Sequence, residues 1–244
     1  QAVSRGLGDV YKRQEYVELV RKIINRDGKV EHHGNYYDLP LEGEGTTGLG
    51  KPLKLIEQPF RSEIPIYLAA VGLKNVELTA EIAEGWLPFM YSPIKGEDIY
   101  KESLNNGFKK SGDSDKKDKF EIVTTVFGRV CEEDEIDQYL YPARNIYTLY
   151  VGGMGAKSKN FYYNLFCEYG YEDIADELQN LYLSGNKKES EELFPKELLN
   201  ELTLVGTKKD IEKKLETWKE SNITEISLSL PIDFETVKFI KELL

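Results

Sequence analysis

The sequence is poor in the residues that build most metal and nucleophilic centres, with two histidines and two cysteines in 244 residues. Cys131 and Cys167 form no CxxC pair, which fits reduced thiols rather than a disulfide framework. His32 and His33 are neighbours, and neighbours in a strand point to opposite faces; with no third ligand at metal spacing, no metal site is expected. No apolar run approaches the roughly 20 residues that span a bilayer, and no charged start leads into an apolar signal region. The chain also lacks a basic surplus: 32 Lys and Arg face 43 Asp and Glu, for a net charge of -11. That balance argues against nucleic-acid or anionic-membrane partners, and the expectation is a cytoplasmic protein acting on a small molecule. There is no GxSxG elbow and no GK[ST] loop ending, which removes the common signatures of serine hydrolases and P-loop enzymes.

What is present is organised around Ile64–Pro93, which reads as strand, tight turn, helix and next strand. Ile64–Ala70 is a short apolar run ending in small residues, and Leu73–Glu84 carries Val76, Ala80 and Ala83 as the stripe a helix lays on a sheet, with Gly85 expected to close it. Trp86–Met90 resumes an extended run. Such a β-α-β step implies parallel strands, with ligands at their carboxyl ends. Ala69, Ala70, Val71 and Gly72 lie at such an end and precede a helix N-terminus, where free amides favour an anion by about 0.3–1 kcal/mol. A phosphate-bearing cofactor fits there; a tight turn holding no ligand is the other reading of the same residues.

Upstream, residues 1–14 show no helical or strand period and read as a non-native leader, whereas Tyr16, Val17, Val20, Ile23 and Ile24 form one helical face. Lys29–Leu39 alternates across Gly34–Asn35 as a hairpin, and Glu42–Gly50 is a glycine-rich surface loop. Downstream, Ser92–Phe108 reads as a helix with Ile94, Ile99, Tyr100 and Leu104 on its apolar side, and Phe120–Val130 as a long β-branched strand ending near Arg129. Arg129 is read either as a phosphate or substrate contact or as an ion pair with an acidic neighbour. Residues 134–202 read as helices broken near Gly152–Gly155, Gly170 and Gly185, with GGMG as a helix-to-helix turn. Thr207 and Asp210 approximate a capping box, Glu225–Leu230 alternates as a last strand, and Asp233 caps a final helix.

The segment IPIYLAAVGLKNVELTAEIAEGW, together with GTTGLGKPLKL (Gly45–Leu55), YVGGMGAKSKNFYYNL (Tyr150–Leu165) and LVGTKKDIEKKLETW (Leu204–Trp218), resembles the luciferase-like oxidoreductases, in particular the branch dependent on the deazaflavin coenzyme F420. The resemblance runs from Glu15 to the C-terminus. It implies an α/β fold of the (β/α)8 TIM-barrel family, of which four parallel strands are counted here, so the chain is expected to be the C-terminal half of a barrel with a hairpin and a helical insertion near the barrel mouth. It implies hydride transfer between coenzyme F420 and an organic substrate, with an FMN-dependent monooxygenase or a non-catalytic barrel fragment as alternatives. Ala69, Ala70, Val71 and Gly72 match the family's AAxG turn beside the cofactor phosphate, although Leu73 stands where proline is common. The histidine and glutamate usually assigned to proton transfer belong to the early strands, so no catalytic residue is assigned in this chain. Members often dimerise, which makes a homodimer an expectation.

Overall fold

The computed structural model describes all residues except 1, 27, 156–158 and 230, and the side chains of residues 2–9 also lie outside the description. Helix α1 spans Ala2–Asn25. It runs through residues that show no period because they contain no proline, and a helix formed over the amphipathic half propagates at low cost. Residues 2–14, which show no helical period in the sequence, are thus helical. The inward face of α1 also differs from the expected one: Val17 and Leu19 are buried, while Tyr16 stays exposed.

The hairpin forms as β1 (His32–His33) and β2 (Asp38–Leu39), paired antiparallel. Its turn is organised by one side chain: the Glu15 carboxylate accepts from the backbone amides of Asn35, Tyr36 and Tyr37 and meets His32 Nε2 at 3.0 Å. The exposed His33 pairs with Asp38 across the hairpin. Both histidines are thus structural. Residues 42–50 form a surface loop in which Gly43, Gly45, Gly48 and Gly50 all have positive φ.

The sheet has five parallel strands among the described residues: β3 (Tyr67–Ala69), β4 (Gly85–Leu87), β5 (Glu121–Val130), β6 (Leu204–Gly206) and β7 (Glu225–Ser229). β4 lies between β3 and β5, and both β6 and β7 pair with β5, β7 along Val123–Phe127 and β6 along Gly128–Val130. The count of four is corrected to five. Leu204–Gly206 is too short to show a period, and only the carboxyl-terminal edge of β5 makes it a strand. The expected end of the last strand, Leu230, lies outside the described residues.

Helix α2 (Leu73–Ile82) and helix α3 (Gly96–Ser111) pack face to face. Val76, Ala80 and Ala83 are fully buried, as the stripe predicts. The helix does not end on Gly85, however: Ala83 is its extended C-cap, and Gly85 opens β4. A side chain at Gly85 would collide with the Tyr67 ring and stand 2.9 Å from the Glu121 carbonyl, so glycine serves strand packing there. α3 starts later than expected because the Ser92 hydroxyl accepts from the Ile94 and Lys95 amides and holds that segment as a turn, which leaves Ile94 exposed. Between these helices the buried Glu77 carboxylate meets Lys110 and, at 3.0 Å, Lys74.

The Lys110 hydrogen bond lowers the pKa of Glu77, burial opposes it, and Lys74 adds to the lowering. A carboxyl depressed in the folded state stabilises fully above its ordinary value of 4.5 and loses that contribution as the pH falls through the lower folded value. Acid unfolding of Glu77→Gln is accordingly expected to be less steep below pH 4.5, with a cost of about 1 kcal/mol at neutral pH because both lysines are largely solvated. Urea titrations at pH 3.5 and 7 check this; an equal loss at both pH values speaks against it.

The short α4 (Lys116–Lys119) precedes β5, and a helical segment follows β5 as α5 (Ile136–Gly153), α6 (Phe161–Phe166), a π-helical turn (Cys167–Tyr171), α7 (Glu172–Leu183), α8 (Lys187–Glu192) and α9 (Lys196–Glu201). The expected breaks hold: α5 ends at Gly153, and Gly170 and Gly185 take φ of 88° and 92°. α10 (Lys208–Glu220) starts on a capping box in which Thr207 and Asp210 bond reciprocally, and α11 (Phe234–Leu243) is capped by Asp233, whose Oδ1 accepts from the Thr236 amide at 2.8 Å. Arg129 resolves as the ion pair: it meets Asp233 at 2.7 Å and lies 4.7 Å from the Tyr139 ring centroid. Among the described residues, no helix is long and apolar enough to cross a membrane.

Candidate functional site

The expected cofactor turn sits at the carboxyl end of β3, and the structure divides its four residues into two pairs. Ala69 and Ala70 belong to the support. The Ala70 carbonyl accepts from Trp86 Nε1 at 2.9 Å and the Ala69 carbonyl from Arg13 at 2.8 Å, which fixes the peptide direction just before the turn. Val71 and Gly72 line a cavity of about 840 Å³. Gly72 is the N-cap of α2 in extended conformation and has no side chain to cap the helix. Its carbonyl accepts from the Asn75 and Val76 amides at 2.9 and 3.1 Å, so among the described residues the amides of Leu73 and Lys74 are those the first turn leaves without an acceptor.

The remaining walls come mainly from α3 and α6, with Val10 of α1 and Glu168 of the π-helical turn completing them. α3 contributes Asp98, Ile99 and Tyr100 from its first two turns, and α6 contributes Phe161, Asn164 and Leu165. The Phe161 ring lies over Gly72, where an added Cβ would stand 2.8 Å from Cε1. α6 is aimed by Asn160, a buried N-cap whose Oδ1 accepts from the Tyr162 and Tyr163 amides while its Nδ2 donates to the carbonyls of Tyr150 and Val151. That single side chain ties the start of α6 to the end of α5.

The floor beneath is aromatic and rigid. Trp86 is fully buried against Tyr100, with ring centroids 4.8 Å apart, and burial together with nearby Tyr162 raises the Tyr100 phenol well above its ordinary pKa, so it stays protonated. Met90, just beyond β4, adopts φ of 58°, a left-handed conformation uncommon for a long side chain; its carbonyl accepts from Tyr169, whose hydroxyl also accepts from the Ser92 amide. Among the described residues Lys74 is the one cation on the cavity wall, held by Glu77, whereas Asp98 and Glu168 are acidic. Asn75 adds a buried Oδ1 with no hydrogen-bond partner among the described residues.

Sequence reasoning found the turn but missed most of this wall. Lys74 and Asn75 carried a usable signal, since polar residues in the first turn after a strand-end glycine are placed toward a ligand. Phe161, Asn164 and Glu168 carried none, because they lie about ninety residues away and meet Gly72 through the packing of α6. GGMG is not part of the site: added side chains at Gly152 and Gly153 would meet Tyr182, so these glycines let α5 approach α7. Among the described residues, no group of three His, Cys, Asp or Glu side chains is placed to hold a metal ion.

The arrangement offers backbone donors at a helix N-terminus, an apolar and aromatic wall, and a position at the carboxyl end of a parallel sheet. A family model described as luciferase-like monooxygenase matches residues 10–225. A protein of Mycobacterium tuberculosis provisionally named as a coenzyme F420-dependent oxidoreductase is 40% identical over 211 residues, covering 86% of this chain and 60% of its own length. The 5,10-methylenetetrahydromethanopterin reductase of Archaeoglobus fulgidus is 23% identical over 178 residues, covering 73% of this chain and 52% of its own. Among solved structures, the coenzyme F420 dependent tetrahydromethanopterin reductase from Methanopyrus kandleri superposes with a TM-score of 0.69 at 18% identity, covering 95% of this chain and 61% of that one. At that identity the superposition shows the fold, an α/β architecture with the parallel sheet of luciferase-like TIM barrels. The chain thus spans 60% and 52% of the lengths of these two curated relatives. With the match extending over most of its residues, the chain belongs to the luciferase-like monooxygenase family.

Proposed function

We propose that this chain supplies the cofactor-phosphate turn and the insertion wall of a coenzyme F420-dependent oxidoreductase that transfers hydride between the deazaflavin and an organic substrate. The observation that carries this reading is the convergence of Val71, Gly72 and the uncapped first turn of α2 on one cavity at the carboxyl end of the sheet. The 40% identity to the mycobacterial protein supports F420 over FMN. The residues fit such a group. Leu73 and Lys74 present amides to a phosphate, and Gly72 lets it approach the backbone.

When bound, the deazaflavin supplies the hydride chemistry. The chain binds, orients and shields. Ile99, Tyr100, Phe161 and Leu165 exclude water from one face of the cavity, and Trp86 holds the Ala70 peptide so that the amides of the turn stay aimed. Asp98 and Glu168 disfavour a second anion on the wall, so a single phosphate is directed to the helix terminus.

The test is an equilibrium titration of the protein with coenzyme F420 and, separately, FMN, repeated on Gly72→Ala. The exposed Phe161 ring can swing aside for the new methyl, so folding is expected to be kept while the backbone approach is blocked. F420 is expected to bind more tightly than FMN, and the variant to lose about tenfold in affinity, equivalent to ~1.4 kcal/mol. Tighter FMN binding supports the FMN-dependent reading instead, and unchanged affinity in Gly72→Ala removes the turn from the site.

A further inference from the structure

A second cavity, of about 570 Å³, lies away from the cofactor turn, between the Pro93–Ile94 segment, α5, α9, β6 and α10. Its wall is rich in carboxylates, with Glu133, Glu197, Glu201 and Asp210, and it contains two lysines, Lys213 and Lys214. The two amines differ. Lys213 is exposed, whereas Lys214 sits at the edge of the buried face formed by Ile211, Leu215 and Trp218. Its Nζ donates to the Val205 carbonyl at 2.8 Å and forms no ion pair among the described residues. Asp210, one turn earlier on the helix, is committed to the Thr207 capping box, and Glu201 accepts from the Ser92 hydroxyl. Burial pushes the Lys214 amine down to about 8, with Asp210 and Cys131 opposing the shift only partly.

A desolvated amine on a cavity wall, without a carboxylate partner, is the arrangement in which a lysine acts as a nucleophile. The carboxylates around it select the electrophile. An acyl phosphate or other anionic donor meets Glu133, Glu197 and Glu201 on entry, whereas a neutral carbonyl compound does not. We propose that Lys214 is a carbonyl-capture site, whose amine condenses in this cavity with a small neutral aldehyde. The nitrogen adds to the carbonyl carbon to give a carbinolamine; loss of the former carbonyl oxygen as water, together with the two amine hydrogens, then leaves a C=N bond. No oxidant or reductant is consumed, and the neighbouring glutamates serve the proton transfers of the dehydration.

The experiment is to incubate the intact protein with butanal at pH 7.5, fix imines with cyanoborohydride, and quantify butyl adducts on each lysine by peptide mass mapping. At least tenfold more adduct is expected on Lys214 than on Lys208, Lys209 or Lys213, as follows from the larger free-amine fraction of a lysine with a depressed pKa. Labelling of Lys214 should rise to half its maximum near pH 8, and acetyl phosphate should show a smaller preference for it. Lys214→Arg, which retains a donor for Val205, should lose the dominant adduct and leave the others unchanged. Adduct on Lys214 at or below the level of the three exposed lysines overturns the proposal, and this reading comes from the wild-type protein whatever the variant does.

Discussion

Trp86→Ala is expected to destabilise the protein by about 3–5 kcal/mol, the range for removing a fully buried large aromatic. Two effects add. The cavity left between Tyr91 and Tyr100 cannot close, because both rings are fixed by burial and neighbouring contacts. The Ala70 carbonyl also loses the indole donor 2.9 Å away and is left buried without its partner. The second effect reaches the site, since that carbonyl immediately precedes Val71 and Gly72. Trp86→Phe separates the terms: it keeps most of the ring and removes the donor, so a loss of about 1–2 kcal/mol is expected, with weakened phosphate binding at the turn. Urea denaturation of the three proteins measures both. A loss below about 1 kcal/mol for the alanine variant would mean that the aromatic floor is not the support described.

Gly107→Ala is the second large effect, and it runs against helix propensity. Alanine in an exposed helix interior stabilises by roughly 0.5–1 kcal/mol over glycine, so a substitution judged from α3 alone should help. The structure reverses the sign. A Cβ at Gly107 falls on the Glu77 carbonyl, 2.6 Å from Ala80 Cβ and 3.0 Å from the Glu81 amide, all on α2. Backbone cannot swing aside as an exposed side chain can, so α2 and α3 must move apart, at an expected net cost of about 1–3 kcal/mol. Because α2 also carries the uncapped first turn, affinity for a phosphate ligand should fall together with Tm. Thermal unfolding that shows a stabilised variant would refute the close approach of the two helices.

The two glycines show where sequence and structure part. Gly85 reads as a helix stop from its place after an apolar stripe, yet it begins β4, because the constraint is the Tyr67 ring on the adjacent strand. Gly107 gives no signal at all in the sequence. Arg129 was open to two readings, and what decided between them was the position of Asp233, more than a hundred residues later. Ile94 looked like part of a helical face, but the Ser92 hydroxyl claims the amides that would have extended α3. By contrast, the α2 stripe, the Thr207 capping box, the Asp233 cap and the breaks at Gly170 and Gly185 are local, and each was legible from spacing of four residues or fewer.

The candidate site divides in the same way. Its centre, Val71 and Gly72 between a strand end and a helix start, follows from the order of residues along thirty positions. Its support, Trp86 on the Ala70 carbonyl, and its wall, α3 with α6 across Gly72, depend on contacts between segments up to about ninety residues apart. The same holds for Lys214, whose inward edge is visible in the helical period while its depressed basicity arises only from the packing around β6 and α9. The sequence alone determined the repeating β-α order, the parallel sense of the strands and the place of the turn that opens α2, because hydrophobic period, caps and turn residues act over a few peptide units. Tertiary structure alone decided the fifth strand, the roles of Gly85 and Gly107 and the composition of both cavities, because steric exclusion and desolvation depend on which distant atoms share the space.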